Sequence, residues 1–302
     1  MTSQDAEFPA PGPIDLGQSL RLGHLWGSDT NFTVDATGAW YAGFTPEGPA
    51  TVQLVLNNAV LRARAWGPGA LVALERVPDL AGLKDPGVSN IRAEHPLVRA
   101  LIRTHPGYRQ IRTHQLYSRL LNTAIHQKVT SRNGRRCYVG LVRTLGNQAP
   151  GPRDDLWLPP TPEVLSQVPY YALHSLNLER HRADLIRRIA QHAERLELAL
   201  RLSVSEASDL LQSMTGIGPW TSAVVLASAM GDADAVPYGD YHLKNYVSWN
   251  LSGEPRGTDE HMEALLAPYL GDRGRVVRML KSSGRTPPRY GPKSAVRDIR
   301  RQ

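Results

Sequence analysis

The amphipathic run Leu210-Leu211-Gln212-Ser213-Met214 leads into Thr215-Gly216-Ile217-Gly218, and Pro219-Trp220-Thr221-Ser222-Ala223 opens a second apolar run. Proline suits the first position of a helix, where its missing N–H costs nothing. Two helices joined by a glycine hairpin are therefore predicted. Gly216 and Gly218 allow backbone angles that other residues resist. They also remove side chains, so a bulky anion can approach the main chain. Ile217, between them, can plug the helix pair. The free N–H groups at the start of the second helix then face outward, where a phosphate can bind them. Two glycines alone describe an ordinary turn. The full string of helix, small residue, Gly-Ile-Gly, Pro, Trp, Thr and helix is much more specific.

Downstream lies Ala235-Val236-Pro237-Tyr238-Gly239-Asp240-Tyr241-His242-Leu243-Lys244. By pattern alone Asp240 reads as the N-cap of a helix starting at Tyr241, because Asp is a preferred cap residue. Asp232 and Asp234 lie earlier and read as loop acids.

The charge of +7 is unevenly spread. Arg103, Arg109, Arg112, Arg119, Lys128, Arg132, Arg135, Arg136 and Arg143 fall within Leu101–Pro150, which has no Asp or Glu. From Gly271 to Gln302 there are ten Lys/Arg against Asp272 and Asp298. The rest of the chain is net acidic. Concentrated positive charge is the footprint of a polyphosphate partner, although solvated helix faces, an acidic protein surface or lipid would carry it too. The basic, proline-rich segment Arg285–Lys293 fits a DNA groove or a disordered tail. The single cysteine, Cys137, cannot form an internal disulfide or a four-thiolate metal site, and fits a reducing cytoplasm. The N-terminus reads as lacking a secretion signal, and no apolar run approaches the length of a membrane span.

The predicted fold class is α+β. An antiparallel sheet domain is expected over residues 1–92, with an all-helical region over residues 93–302 in two lobes flanking a cleft. Strands are expected at Asn31–Val34, Ala39–Phe44, Val52–Leu56 and Val60–Trp66, the last two joined by a hairpin turn at Asn57-Asn58. Helices follow: Ala70–Leu83 with Leu71, Leu74, Val77 and Leu80 on one face, then His95–His105, Thr113–Gln127 and Ser131–Leu145. Leu178 to Leu196 forms one apolar face of a longer helix. Thr161-Pro162 and Ser203-Val204-Ser205-Glu206 are helix starts, the second a capping box.

The hairpin and the aspartate behind it resemble the helix–hairpin–helix DNA glycosylase superfamily that carries a Gly/Pro-rich loop and a conserved aspartate (HhH-GPD). Within it the stretch is most similar to the 3-methyladenine DNA glycosylase II branch. The resemblance is strong over Gln212–Val247 and looser over His105–Arg195, where Leu121–Thr130 resembles the family's helix and following loop. It implies that Asp240 is the catalytic carboxylate, whose register after the hairpin outweighs the plain cap reading. Thr215, Gly216, Ile217, Gly218, Thr221, Gln127 and Lys128 would contact DNA. Lys128 occupies the register where a related member inserts a leucine wedge, and His126 beside it reads as a DNA contact or a packed histidine. The main-chain carbonyls of Gln212, Met214 and Ile217 would offer a site for a structural Na+ or K+, with no other cofactor required. Trp220 and Tyr238 would offer aromatic faces to a flipped, cationic purine, with core packing an equal reading for Trp220. Bifunctional members carry a Schiff-base lysine where Trp220 stands, so the resemblance implies hydrolysis without a strand-cutting lyase step.

The implied function is removal of alkylated purines, of the 3-methyladenine and 7-methylguanine type, from damaged duplex DNA by a cytoplasmic monomer of bacterial type. The alternatives are the same fold acting on hypoxanthine or uracil, or a non-catalytic duplex binder. A pure binder has no reason to hold a carboxylate near a phosphodiester.

Overall fold

The computed structural model describes residues 2–23 and 27–288. Five antiparallel strands form one sheet: β1 (Ser3–Pro9), β2 (Phe32–Asp35), β3 (Gly38–Thr45), β4 (Gly48–Asn57) and β5 (Val60–Trp66), in the spatial order β1-β5-β4-β3-β2. The β4–β5 hairpin closes on the pair Asn57 and Val60, with Asn58 in the left-handed region at φ 54°. The turn is therefore Asn58-Ala59, one residue later than expected. Asn tolerates positive φ better than most residues, and here the second Asn takes that position.

One face of the sheet is covered and the other only in part. Ala39, Tyr41, Val52, Leu54, Leu61 and Ala63 alternate onto one face, under helix α1 (Leu16–Gly23) and the short helices α2 (Ala70–Glu75) and α3 (Val77–Leu80). Trp40 and Trp66 stack on the other face, with ring centroids 5.4 Å apart. The single helix expected over Ala70–Leu83 is thus two, divided at Arg76 and restarting with Pro78, which has no N–H to continue the ladder. Leu71, expected on its buried face, is 58% exposed.

The helical part begins with α4 (Pro96–Thr104), α5 (Leu116–Ile125) and α6 (Ser131–Leu145). It continues with α7 (Pro162–Gln167), α8 (Tyr170–Ser175), α9 (Arg180–Gln191), α10 (Ala193–Glu197), α11 (Val204–Gln212) and α12 (Pro219–Ala229). The chain then adds α13 (Leu243–Leu251), α14 (Asp259–Leu266) and α15 (Arg273–Ser282). The longer helix expected over 178–196 is interrupted at His192. The capping box at Ser203 and Glu206 is formed in both directions. The region is not entirely helical. A two-stranded ladder, β6 (Asn147–Gln148) and β7 (Trp157–Leu158), sits within it. It forms where the 146–160 loop crosses the outer face of the sheet and the Trp157 N–H donates to the Thr30 carbonyl at 2.8 Å.

Two cores define the lobes. One joins α5–α12 around Leu120, Leu121, Leu141, Ile186, Leu211 and Val225. The other joins α4 to α13–α15 around Val98, Val247, Met262, Leu266 and Leu280, and also takes in Val88, Ile91 and Tyr108.

The basic residues divide between surface and interior. Arg109 and Arg119 are buried. Arg119 pairs with Asp29 at 2.9 Å, and Arg109 donates to the Asp85 carbonyl at 2.6 Å. In α15, Arg275 holds both oxygens of Asp85 and Arg278 donates to Gln110 Oε1 at 2.9 Å. These four hold the fold together, so only part of the counted positive charge faces solvent; Arg103, Lys128, Arg132, Arg135, Arg136 and Arg143 are exposed. Segment Arg285–Lys293 falls mostly outside the described residues.

Candidate active site

The hairpin forms between α11 and α12 as its residues dictate. Gly216 has φ 98°, where an L side chain is strained, and a Cβ there would lie 2.9 Å from Leu185 Cδ1. Gly218 is different. Its backbone is extended (φ −106°, ψ −176°), and a Cβ there would meet nothing within 4 Å. The protein's own packing does not demand glycine at 218; an external group that must reach the main chain would. Ile217 is buried in the core between the helices. No side chain caps the N-terminus of α12, the end of a helix that suits an external anion.

Two side chains brace the turn. Gln127 Nε2 donates to the Gly216 carbonyl and to Thr221 Oγ1, both at 2.9 Å. Arg188, on α9, donates to the Thr215 carbonyl at 2.6 Å. The Met214 carbonyl accepts the Ile217 N–H at 3.0 Å. Gln127, expected at DNA, is thus committed to the hairpin itself. Beside it, Lys128 is exposed and left-handed (φ 54°). His126 is buried against Gly134, with Nδ1 2.9 Å from the Asn122 carbonyl. Burial pushes its pKa down to about 4, against the pull of that carbonyl, so it is neutral at pH 7.

Asp240 follows Gly239, itself left-handed at φ 81°. Its Oδ1 accepts two backbone N–H bonds, from His242 at 2.8 Å and Leu243 at 2.9 Å. Helix α13 begins at Leu243, two residues later than expected, because Asp240 gathers these N–H groups from a turn before the helix starts. Its Oδ2 accepts from Trp220 Nε1 at 3.2 Å. Asp240 is therefore not the expected N-cap, a place His242 takes without a side-chain bond; its carboxylate instead closes the turn before the helix and lines the cleft.

One cleft of about 1440 Å³ brings the predicted residues together. Gln127, Lys128, Thr215, Gly216, Ile217, Gly218, Trp220, Thr221 and Asp240 all line it. Tyr238 does not: it packs against the core of the second lobe, and burial raises its pKa. Residues missed from sequence also line the cleft: His181 and Arg188 from α9, and Tyr241 with His242 beside the carboxylate. Tyr241 is 80% exposed and meets His242 edge-on, centroids 4.8 Å apart. Only its place next to Asp240 could have marked it. Lys281, on α15, has an exposed side chain, yet protein crowding around its amine lowers its pKa against the opposing pull of Asp240. Among the described residues no group of His, Cys, Asp and Glu is arranged to hold a metal, and no helix is long and apolar enough to cross a membrane. Cys137 is buried, and burial raises its pKa.

No family model matches the chain. A Bacillus subtilis protein, YfjP, whose assignment as a DNA-3-methyladenine glycosylase is itself provisional, is 24% identical over 178 residues. That match covers 57% of this chain and 61% of the relative, so the chain spans about three-fifths of its length. The solved 3-methyladenine DNA glycosylase of Archaeoglobus fulgidus superposes with a TM-score of 0.78 at 17% identity, over 92% of this chain and 98% of that one. The Clostridium acetobutylicum 8-oxoguanine glycosylase/lyase, bound to double-stranded DNA with cytosine opposite 8-oxoG, gives 0.66 at 15%, over 90% and 92%. The chain thus has the fold of the helix–hairpin–helix DNA glycosylases, N-terminal sheet included.

Proposed function

We propose that this chain is a monofunctional DNA glycosylase that hydrolyses alkylated purines, of the 3-methyladenine and 7-methylguanine type, from duplex DNA. The observation that carries the reading is Asp240, held in the same cleft as an uncapped hairpin helix. The hairpin N–H groups take a backbone phosphate, and the open space at Gly218 admits it. The damaged nucleotide is flipped into the cleft, with Lys128 at the lip. The bond from C1′ to the base nitrogen breaks, and its electron pair leaves with the base. Positive charge develops on the sugar, and the Asp240 carboxylate stabilises it. Water adds to C1′ and gives up its proton to the carboxylate or to solvent. An N-alkylated purine starts as a cation and departs neutral, so little acid assistance is needed.

The names of YfjP and of the Archaeoglobus enzyme support the alkylated-base reading. Trp220 at the Schiff-base position supports hydrolysis alone. A carbonyl keeps a second lone pair after accepting one hydrogen bond, so the Met214 carbonyl, with those of Gln212 and Ile217, suits a Na+ or K+ that would stiffen the turn. The protein would act as a monomer in the cytoplasm.

The test is chromatography of free bases after incubation with methylated duplex. Release of 3-methyladenine and 7-methylguanine is expected; duplex binding without release contradicts the reading. Borohydride treatment on abasic duplex should leave no covalent adduct. An adduct would refute the lyase-free claim, and Lys281 would be the amine to replace first.

A further inference from the structure

The carboxylate of Asp240 is tied to the hairpin through Trp220, and this bond suggests a role for the indole beyond lining a pocket. A carboxylate offers about four lone-pair directions. Two on Oδ1 are filled by the His242 and Leu243 N–H groups, and one on Oδ2 by the Trp220 indole. The direction left over lies on Oδ2, and Trp220 sets its aim. Trp220 stands between Gly218, at the open approach to the main chain, and Thr221, which Gln127 fastens to the Gly216 carbonyl. Main chain and carboxylate therefore share one rigid connection.

We propose that Trp220 is a positioning residue for Asp240: its indole N–H fixes the carboxylate rotamer and leaves a single Oδ2 direction for the sugar cation or the attacking water. This deepens, and rests on, the glycosylase reading. The indole ring still borders the cleft, but its N–H acts on the acid, not on the base. A base-stacking role would act through ring area, which phenylalanine largely retains. A positioning role acts through the N–H, which phenylalanine lacks.

Two measurements test this. Trp220→Phe should lower the single-turnover rate of base release about tenfold or more, the loss of a charge-assisted hydrogen bond in the transition state, while duplex affinity changes less than about twofold. An unchanged rate, or weaker lesion binding with the rate intact, overturns the proposal. Because that variant could misfold, the bond is also read in the otherwise native chain. The Trp220 indole N–H resonance, assigned by its absence from Trp220→Phe or by sequential methods, should move upfield in Asp240→Ala. An unmoved resonance overturns the proposal. Absence of base release by the wild type would instead defeat the glycosylase reading, and the indole shift would still report the bond.

Discussion

At the residue scale, His126 makes a clear electrostatic prediction. Its ordinary pKa near 6.5 falls to about 4 in the folded chain. Below pH 6.5 the unfolded chain takes up a proton that the folded chain refuses, so stability falls as pH drops from about 6.5 toward 4 and then levels. The full loss is up to about 3 kcal/mol. Urea midpoints across that range measure it, and His126→Gln should flatten the slope if the variant folds. An equal slope in the folded variant would assign the titration elsewhere. Asp79 acts lower down. Burial raises its pKa, but hydrogen bonds from His114 and Lys84 outweigh burial and bring it to about 2. Its stabilisation is present above about pH 3.8 and is lost as pH falls through 2.

The hairpin is the element on which sequence and structure agree best. Glycine and proline punctuate the chain locally, so Gly216, Gly218 and Pro219 announce their geometry without tertiary context. The two glycines nonetheless differ. Replacing Gly216 forces an L residue to φ 98° against Leu185, so Gly216→Val should lower stability by about 1–3 kcal/mol in a thermal melt. Gly218→Val should melt near the wild type but bind all duplexes more weakly, damaged or not, because its side chain fills only space outside the protein. Unchanged duplex affinity in Gly218→Val would remove the phosphate-cradle role. Strand β1 was not legible, because an edge strand reading Ser-Gln-Asp-Ala-Glu-Phe-Pro alternates too weakly to stand out. It is held by ladder bonds and by Arg62–Glu7 and Arg64–Asp5 across the exposed face.

At the scale of the whole molecule, the chain's charge was legible but its placement was not. Arg109, Arg119, Arg275 and Arg278 count as basic in the sequence, yet each is buried and bonded inside. Burial is set by packing between distant segments, which no local window contains. The same holds for the Trp220–Asp240 bond: that Asp240 would bind nearby backbone N–H groups was readable, but the later helix start and the indole partner were not. Duplex affinity should therefore fall with salt through the exposed cations only. Arg136→Ala is expected to flatten the plot of log affinity against log salt if it meets a phosphate, and Arg119→Ala to lower the melting temperature instead. Reversed outcomes would mean that the division between framework and surface arginines is wrong.

The central claim is that Asp240 carries base excision on this hairpin fold. The direct measurement is the single-turnover release of methylated purines from duplex DNA by wild type and Asp240→Asn, with affinity for the same duplex measured in parallel. A fall of roughly a hundredfold or more in the rate, with affinity retained, is predicted. Full activity in Asp240→Asn would contradict the account.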